Sequence, residues 1–199
     1  MRLLVIRHGE SEADILDVHE GRADFELTGR GHRQAEAMSN YVSRNYHVDK
    51  IYCSTLKRAL QTAQHLHDTT NAPLVPDEHL MEFNNGLIAG LERHVAKEKY
   101  PEIKVPLHAA VYEQESRLEF RYRAEYMLSK IISENEGDST VAIVTHGGMI
   151  NQLYRSFFGM PVESDYFFWT GDTGIHEWLI NGNTRIVAKA NYISHEGKI

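Results

Sequence analysis

The chain has 199 residues, 42% of them apolar and 25% charged, proportions of a globular protein able to bury a full core within one domain, residues 1–199. Its net charge of −7 argues against a nucleic-acid partner but leaves room for a small anion held in a local arginine pocket. No run reaches the length of a membrane span, the apolar stretch after Met1 stops at Arg7, and Cys53 is the only cysteine. No membrane contact, no disulfide framework and a cytoplasmic, reducing setting are therefore expected, with Cys53 as a small buried side chain.

Leu3-Leu4-Val5-Ile6 reads as a fully buried strand that runs directly into Arg7-His8-Gly9-Glu10-Ser11. Residues 12–24 read as an irregular polar connection. A helix follows from about His32 to Asn45, with Ala35, Met38 and Val42 on one side and Thr28 near its start. Residues 49–54 form a short second strand, and Ser54 is placed to cap the next helix, whose Leu56, Ala59, Leu60 and Ala63 share a face and whose first turn carries Arg58. Residues 73–76 are extended, leading to Glu82 and a loop over 84–90. The region 91–135 is predicted helical and more polar, broken near Pro101 and Pro106, with a small helical cap insertion at roughly 87–123.

Residues 139–144 are another apolar strand, ending in Thr145-His146-Gly147-Gly148 before a helix through Ile150, Leu153, Tyr154 and Phe157. Strands are predicted at 166–169 and 175–180, then a hairpin turn at Asn181-Gly182 and a last strand over 185–190. Phe167, Phe168 and Trp169 are placed in the core, with a dimer face as the alternative. Strand–helix alternation of this kind specifies an α/β protein: three layers, α/β/α, around a mostly parallel open sheet.

Chemistry in such sheets collects at the carboxyl ends of the strands. Five residues are predicted at that edge: Arg7, His8, Arg58, Glu82 and His146. Arginine's planar donors match phosphate oxygens in pairs and keep their charge. Histidine can attack phosphorus as a nucleophile, and a carboxyl group can supply and retrieve a proton. The set suits phosphoryl transfer without metal. Of the twelve histidines, His65 and His67 are two apart and cannot share a helix face, and no His-x3-His or Cys pair exists, so no metal site is expected.

The motifs as ordered blocks resemble the histidine phosphatase superfamily, in the branch with the cofactor-dependent phosphoglycerate mutases. The blocks are Arg7-His8-Gly9-Glu10-Ser11, Gly21, Leu27-Thr28-x-x-Gly31-x-x-Gln34-Ala35, Ser54-x-Leu56-x-Arg58-Ala59-x-Gln61-Thr62-Ala63, Glu82 with Gly86 and Gly90, and Thr145-His146-Gly147-Gly148. The resemblance implies that His8 becomes phosphorylated, that Arg7, Arg58 and His146 hold the equatorial oxygens, and that Glu82 is the proton donor and later the base. Ser11 either contacts phosphate or caps a turn. Leu27, Gly31, Ala35, Ala59 and Ala63 are taken as packing residues. No cofactor is implied, because the arginines stand where other phosphoryl-transfer enzymes use magnesium.

Two departures bear on substrate. Asp14 stands where the family often has asparagine, and Gly86-Leu-Ile-Ala-Gly90 lacks the usual Trp-Glu between its glycines. The expected activity is hydrolysis of a small phosphorylated metabolite through a phosphohistidine. A phosphoglycerate mutase is the alternative, made less fitting by the short segment between Glu82 and Thr145. A non-catalytic binding module would have lost His8 or an arginine, and neither is lost. Tyr100, Tyr112, His94 and Arg117 are the candidates for substrate recognition in the cap, and a homodimer is the only assembly considered.

Overall fold

The computed structural model describes residues 1–135 and 137–196. A six-stranded sheet is built from β1 (Arg2–Arg7), β2 (Lys50–Cys53), β3 (Leu74–Pro76), β4 (Thr140–Thr145), β5 (Ile175–Asn181) and β6 (Thr184–Tyr192), in the order β3-β2-β4-β1-β5-β6. β3, β2, β4 and β1 run parallel, while β5 and β6 are antiparallel. The helices are α1 (Glu12–Leu16), α2 (Gly29–Asn45), α3 (Lys57–Thr70), α4 (Arg93–Lys99), α5 (Arg117–Glu134) and α6 (Gly147–Phe158).

Alternation along β1 and β4 explains the layers. Leu3, Val5, Val141 and Ile143 pack with Phe120, Met127, Ile131, Ile150 and Leu153 of α5 and α6. Leu4, Ile6, Ala142 and Val144 point the other way, onto Met38, Val42, Ala59 and Leu66 of α2 and α3. With both faces covered, an unbroken apolar run is the physical requirement. The chain leaves β1 for a helix on one face and β4 for a helix on the other, and Arg7 lies opposite Thr145 in the parallel ladder. This divergence opens a crevice at their carboxyl ends.

Several expectations are corrected. The connection after Ser11 contains α1, because the Asp14 carboxylate accepts from the Ser11 backbone N–H (2.8 Å) and closes the first turn. Ser54 does not cap α3; the residue before that helix is Leu56, whose N–H donates to Ser54 Oγ at 3.2 Å. Residues 100–116 are irregular, with Pro101 and Pro106 removing donors a helix would need.

Residues 166–169 form no strand. Asn151 accepts from the Phe168 N–H (2.8 Å) and donates to its carbonyl (3.1 Å), taking the groups a ladder would use. Phe168 stacks on Tyr154 with centroids 4.0 Å apart, whereas Phe167 and Trp169 are 72% and 63% exposed and lie outside the core. Phe120 is a core residue, so the part of 87–123 that stands apart from the layers ends before Arg117. Among the described residues, no helix is long and apolar enough to cross a membrane.

Candidate active site

His8 follows β1 and is 1% exposed. Its Nδ1 lies 2.7 Å from the Gly9 carbonyl, which can only accept, so Nδ1 carries the proton and Nε2 presents a lone pair. Arg58 Nε points at that Nε2 from 3.3 Å. Burial, followed by the Arg58 and Arg7 charges, holds His8 well below the usual histidine range, so the ring is neutral and nucleophilic.

The loop is held by close backbone packing. The Gly9 N–H donates to Thr62 Oγ1 (3.1 Å), and a Cβ on Gly9 would meet the Gly31 carbonyl at 2.6 Å. A Cβ on Gly31 would run into the Glu10 carbonyl in turn. Leu27, Gly31, Ala35, Ala59 and Ala63 are all buried, as packing residues must be.

Arg58, in the first turn of α3, is fully buried. It donates to the Ala23 carbonyl (3.0 Å) and the Gly21 carbonyl (2.9 Å), which fix its plane and leave two N–H groups unspent among the described residues. Arg7 donates to the Thr170 carbonyl (3.0 Å) and lies 3.1 Å from Asp172, leaving its other terminal nitrogen toward the cavity, 3.9 Å from Asp14.

His146 is fully buried, and its ring centroid is 5.1 Å from that of His8. Its Nε2 bonds Ser54 Oγ at 2.8 Å, while Nδ1 has no partner among the described residues. A Ser54 hydroxyl donating to Nε2 leaves Nδ1–H free for an oxyanion. Burial and then Arg58 and His8 keep this ring neutral too.

Glu82 lies on the loop after β3. One oxygen accepts from the Phe83 N–H (2.7 Å) and the other from the Gly148 N–H in the first turn of α6 (2.8 Å). Arg7, Asp14, Glu20, Glu82, Phe83 and Arg93 share the walls of one cavity of about 400 Å³. The structure thus brings Arg7, His8, Arg58, Glu82 and His146 to one edge.

Ser11 is buried beside them, with its hydroxyl on Asp14 (3.1 Å) and on Glu20. Asp14 is tied into α1 by the Ser11 N–H and is 3.9 Å from Arg7. Of the cap candidates, Tyr100, Tyr112 and Arg117 line a second cavity of about 420 Å³ that shares Phe83 and His19 with the first. His94 is exposed and pairs with Glu92 at 3.3 Å.

Two residues escaped the sequence reading. Glu20 places one oxygen 3.8 Å from His8 Nε2 and the other 3.6 Å from Arg58 Nε. Its one signal is its place directly before Gly21, within a polar connection. Arg123, from α5, donates to the His79 and Met81 carbonyls (both 2.8 Å) and the Glu82 carbonyl (3.2 Å), and pairs with Glu115 at 2.6 Å. An arginine in a helical stripe carries no sequence mark of such a contact.

A neutral histidine lone pair flanked by the buried Arg58 and the partly exposed Arg7, with the Glu82 carboxyl group at the same edge, is the equipment of phosphoryl transfer through histidine. The chain belongs to the histidine phosphatase superfamily (branch 1), whose description matches residues 3–192. It is 25% identical over 203 aligned positions to phosphoserine phosphatase 1 of Hydrogenobacter thermophilus, covering 100% of this chain and 95% of that protein. It is 33% identical to a 2,3-bisphosphoglycerate-dependent phosphoglycerate mutase of Cytophaga hutchinsonii, over 76% of this chain and 74% of that protein. The structure of a putative alpha-ribazole-5'-P phosphatase from Escherichia coli superposes with a TM-score of 0.88 and 26% identity, covering 97% of each chain.

Proposed function

We propose that the protein is a phosphomonoesterase that hydrolyses a small phosphorylated metabolite through a phosphohistidine at His8. The observation that carries this is the unprotonated Nε2 of His8, fixed as an acceptor by the Gly9 carbonyl on Nδ1 and aimed at the Arg58 Nε–H, which donates to it at 3.3 Å. As Nε2 bonds to phosphorus, the ester P–O bond breaks and Glu82 gives its proton to the leaving alcohol. Water then attacks phosphorus, Glu82 takes a proton from it, the N–P bond breaks and phosphate leaves. Charge on the equatorial oxygens is met by Arg7, Arg58 and His146 Nδ1–H, held in place before the substrate arrives. The two guanidinium cations and the His146 N–H supply what a metal would, so the reaction is expected to be insensitive to EDTA.

The second cavity gives the leaving group its surroundings: Ile103, Tyr100 and Tyr112 are apolar or aromatic, with Arg117 at one side. The buried, unpaired Cys53, its thiol pushed up to about 12 by burial, suits the reducing cytoplasm.

The test is phosphate release from a panel of monoesters with and without EDTA, for the wild type and His8→Ala. Metal-independent release that disappears with His8→Ala is the expected result. The mutase relative supports a second reading, and interconversion of phosphoglycerates without net release would establish it instead. Full activity of His8→Ala would refute both.

A further inference from the structure

Glu20 sits inside a site built for an anion, an unusual place for a carboxylate. It is 19% exposed and reaches over from the loop after α1. Its neighbours are Ser11 at the start of α1, Asp14 within α1, His8 and Arg7 at the end of β1, and Arg58 in α3. Asp17, His19, Glu82 and Arg93 complete the titratable walls of the same cavity.

Proton counting at Ser11 is informative. Its hydroxyl has a single hydrogen but contacts two carboxyl groups, Asp14 at 3.1 Å and Glu20 at closer range. Were both ionised, one oxygen–oxygen contact would be left without a proton. Asp14 already accepts the Ser11 backbone N–H, which suits a carboxylate, so the extra proton belongs on Glu20. Burial pushes Glu20 in the same direction, against the pull of Arg58 and Ser11. A phosphorus in line for attack stands about 3–3.5 Å from the nucleophilic atom. Its oxygens therefore fall within contact of a carboxyl group lying 3.8 Å from His8 Nε2 and 3.6 Å from Arg58 Nε.

We propose that Glu20 is a proton-dependent wall of the phosphoryl site, so that the site takes a phosphate together with one proton. In its neutral form the carboxyl keeps its proton on the Ser11 hydroxyl and sets no charge against the phosphoryl oxygens. In its ionised form it stands against Arg58 and His8 and repels the dianion. The inference rests on the phosphatase reading of this site, but its test needs no turnover.

The experiment is calorimetric titration of the whole protein with inorganic phosphate between pH 5 and 8, for wild type and Glu20→Gln. The second ionisation of phosphate and any titration of His8 affect both proteins, so the ratio of their dissociation constants isolates Glu20. That ratio, wild type over variant, is expected to rise by at least about tenfold across the range, the smallest effect of a like charge at this distance. A constant or falling ratio would overturn the proposal, as would failure of wild type to bind phosphate at any pH. Should the variant not fold, carboxyl 13C NMR of the wild type replaces it. The Glu20 titration should then move to higher pH when phosphate binds, and an unmoved titration sinks the idea. Ester hydrolysis with a flat ratio would remove this proposal alone, whereas pH-linked phosphate binding without hydrolysis of any ester would remove the phosphatase reading alone.

Discussion

Glu82 shows how much of the site depends on one missing atom. Its carboxylate lies on the Gly148 N–H, and a Cβ on Gly148 would occupy the place of that carboxylate. The clash is with the movable end of a side chain, so Gly148→Ala should fold with nearly unchanged stability while displacing the proton donor. Turnover of an alkyl phosphate should fall about 10- to 100-fold, and that of p-nitrophenyl phosphate, whose leaving group needs no proton, much less. Equal losses on both esters would mean that Glu82 is not the acid. Residues that chemistry marks by type, such as His8, Arg58 and His146, were legible in the sequence. Glu20 and Asp14 were not resolved there, because the role of a carboxylate depends on which donors surround it, and those donors come from three separate elements.

At the scale of elements, α5 holds the acid's loop in place. Arg123 projects from it to three carbonyls of residues 79–82, with Glu115 closing the other side of the guanidinium. Arg123 is 9% exposed, so Arg123→Ala leaves buried carbonyls without their donor and Glu115 with only the Asn84 N–H and Arg22, and should cost about 3–5 kcal/mol. The loss is measurable as a lower urea midpoint, and turnover of alkyl phosphates should fall with it. An unchanged midpoint would show that the loop stands without this clamp. The strands and long helices could be read from apolar periodicity, since burial on both faces dictates composition. The aromatic run 166–169 could not. Its alternation resembles a strand, but Asn151, in the preceding helix, takes the backbone groups of Phe168 and three of the four rings are left in water.

For the molecule as a whole, buried neutral histidines set the response to acid. His176 accepts from the Asn191 N–H on Nδ1 (3.1 Å) and therefore donates from Nε2 to Thr170 Oγ1 (2.9 Å). Burial lowers it from 6.5 to about 4. His8, His146 and His195 are shifted the same way. The unfolded chain then binds more protons than the folded one below about pH 6.5, so stability is complete above that value and is lost as pH falls towards 4. His176 alone contributes about 3 kcal/mol over that window, at about 1.36 kcal/mol per unit. Glu20 and Asp172, shifted upward by burial, oppose the trend but are outnumbered by the lowered histidines, which also include His19 and His65. Urea unfolding at pH 7.5, 6 and 5 should show a falling free energy, and a flat profile would mean that these rings are charged in the fold.

The position of β1 in the sheet carries a consequence for synthesis. Arg2 has its ladder partners at Thr140 and Leu179, so the strand that leads into His8 is made well before its neighbours and stays unpaired until β4 and β5 emerge. Until then Leu3 to Ile6 is an unpaired apolar ribbon, the kind of segment chaperones hold and aggregates recruit. Contacts so distant along the chain also slow folding. A nascent chain stalled before β4 can therefore have no working phosphate site, however complete its α2 and α3, and activity should appear only once β4 and β5 have been made.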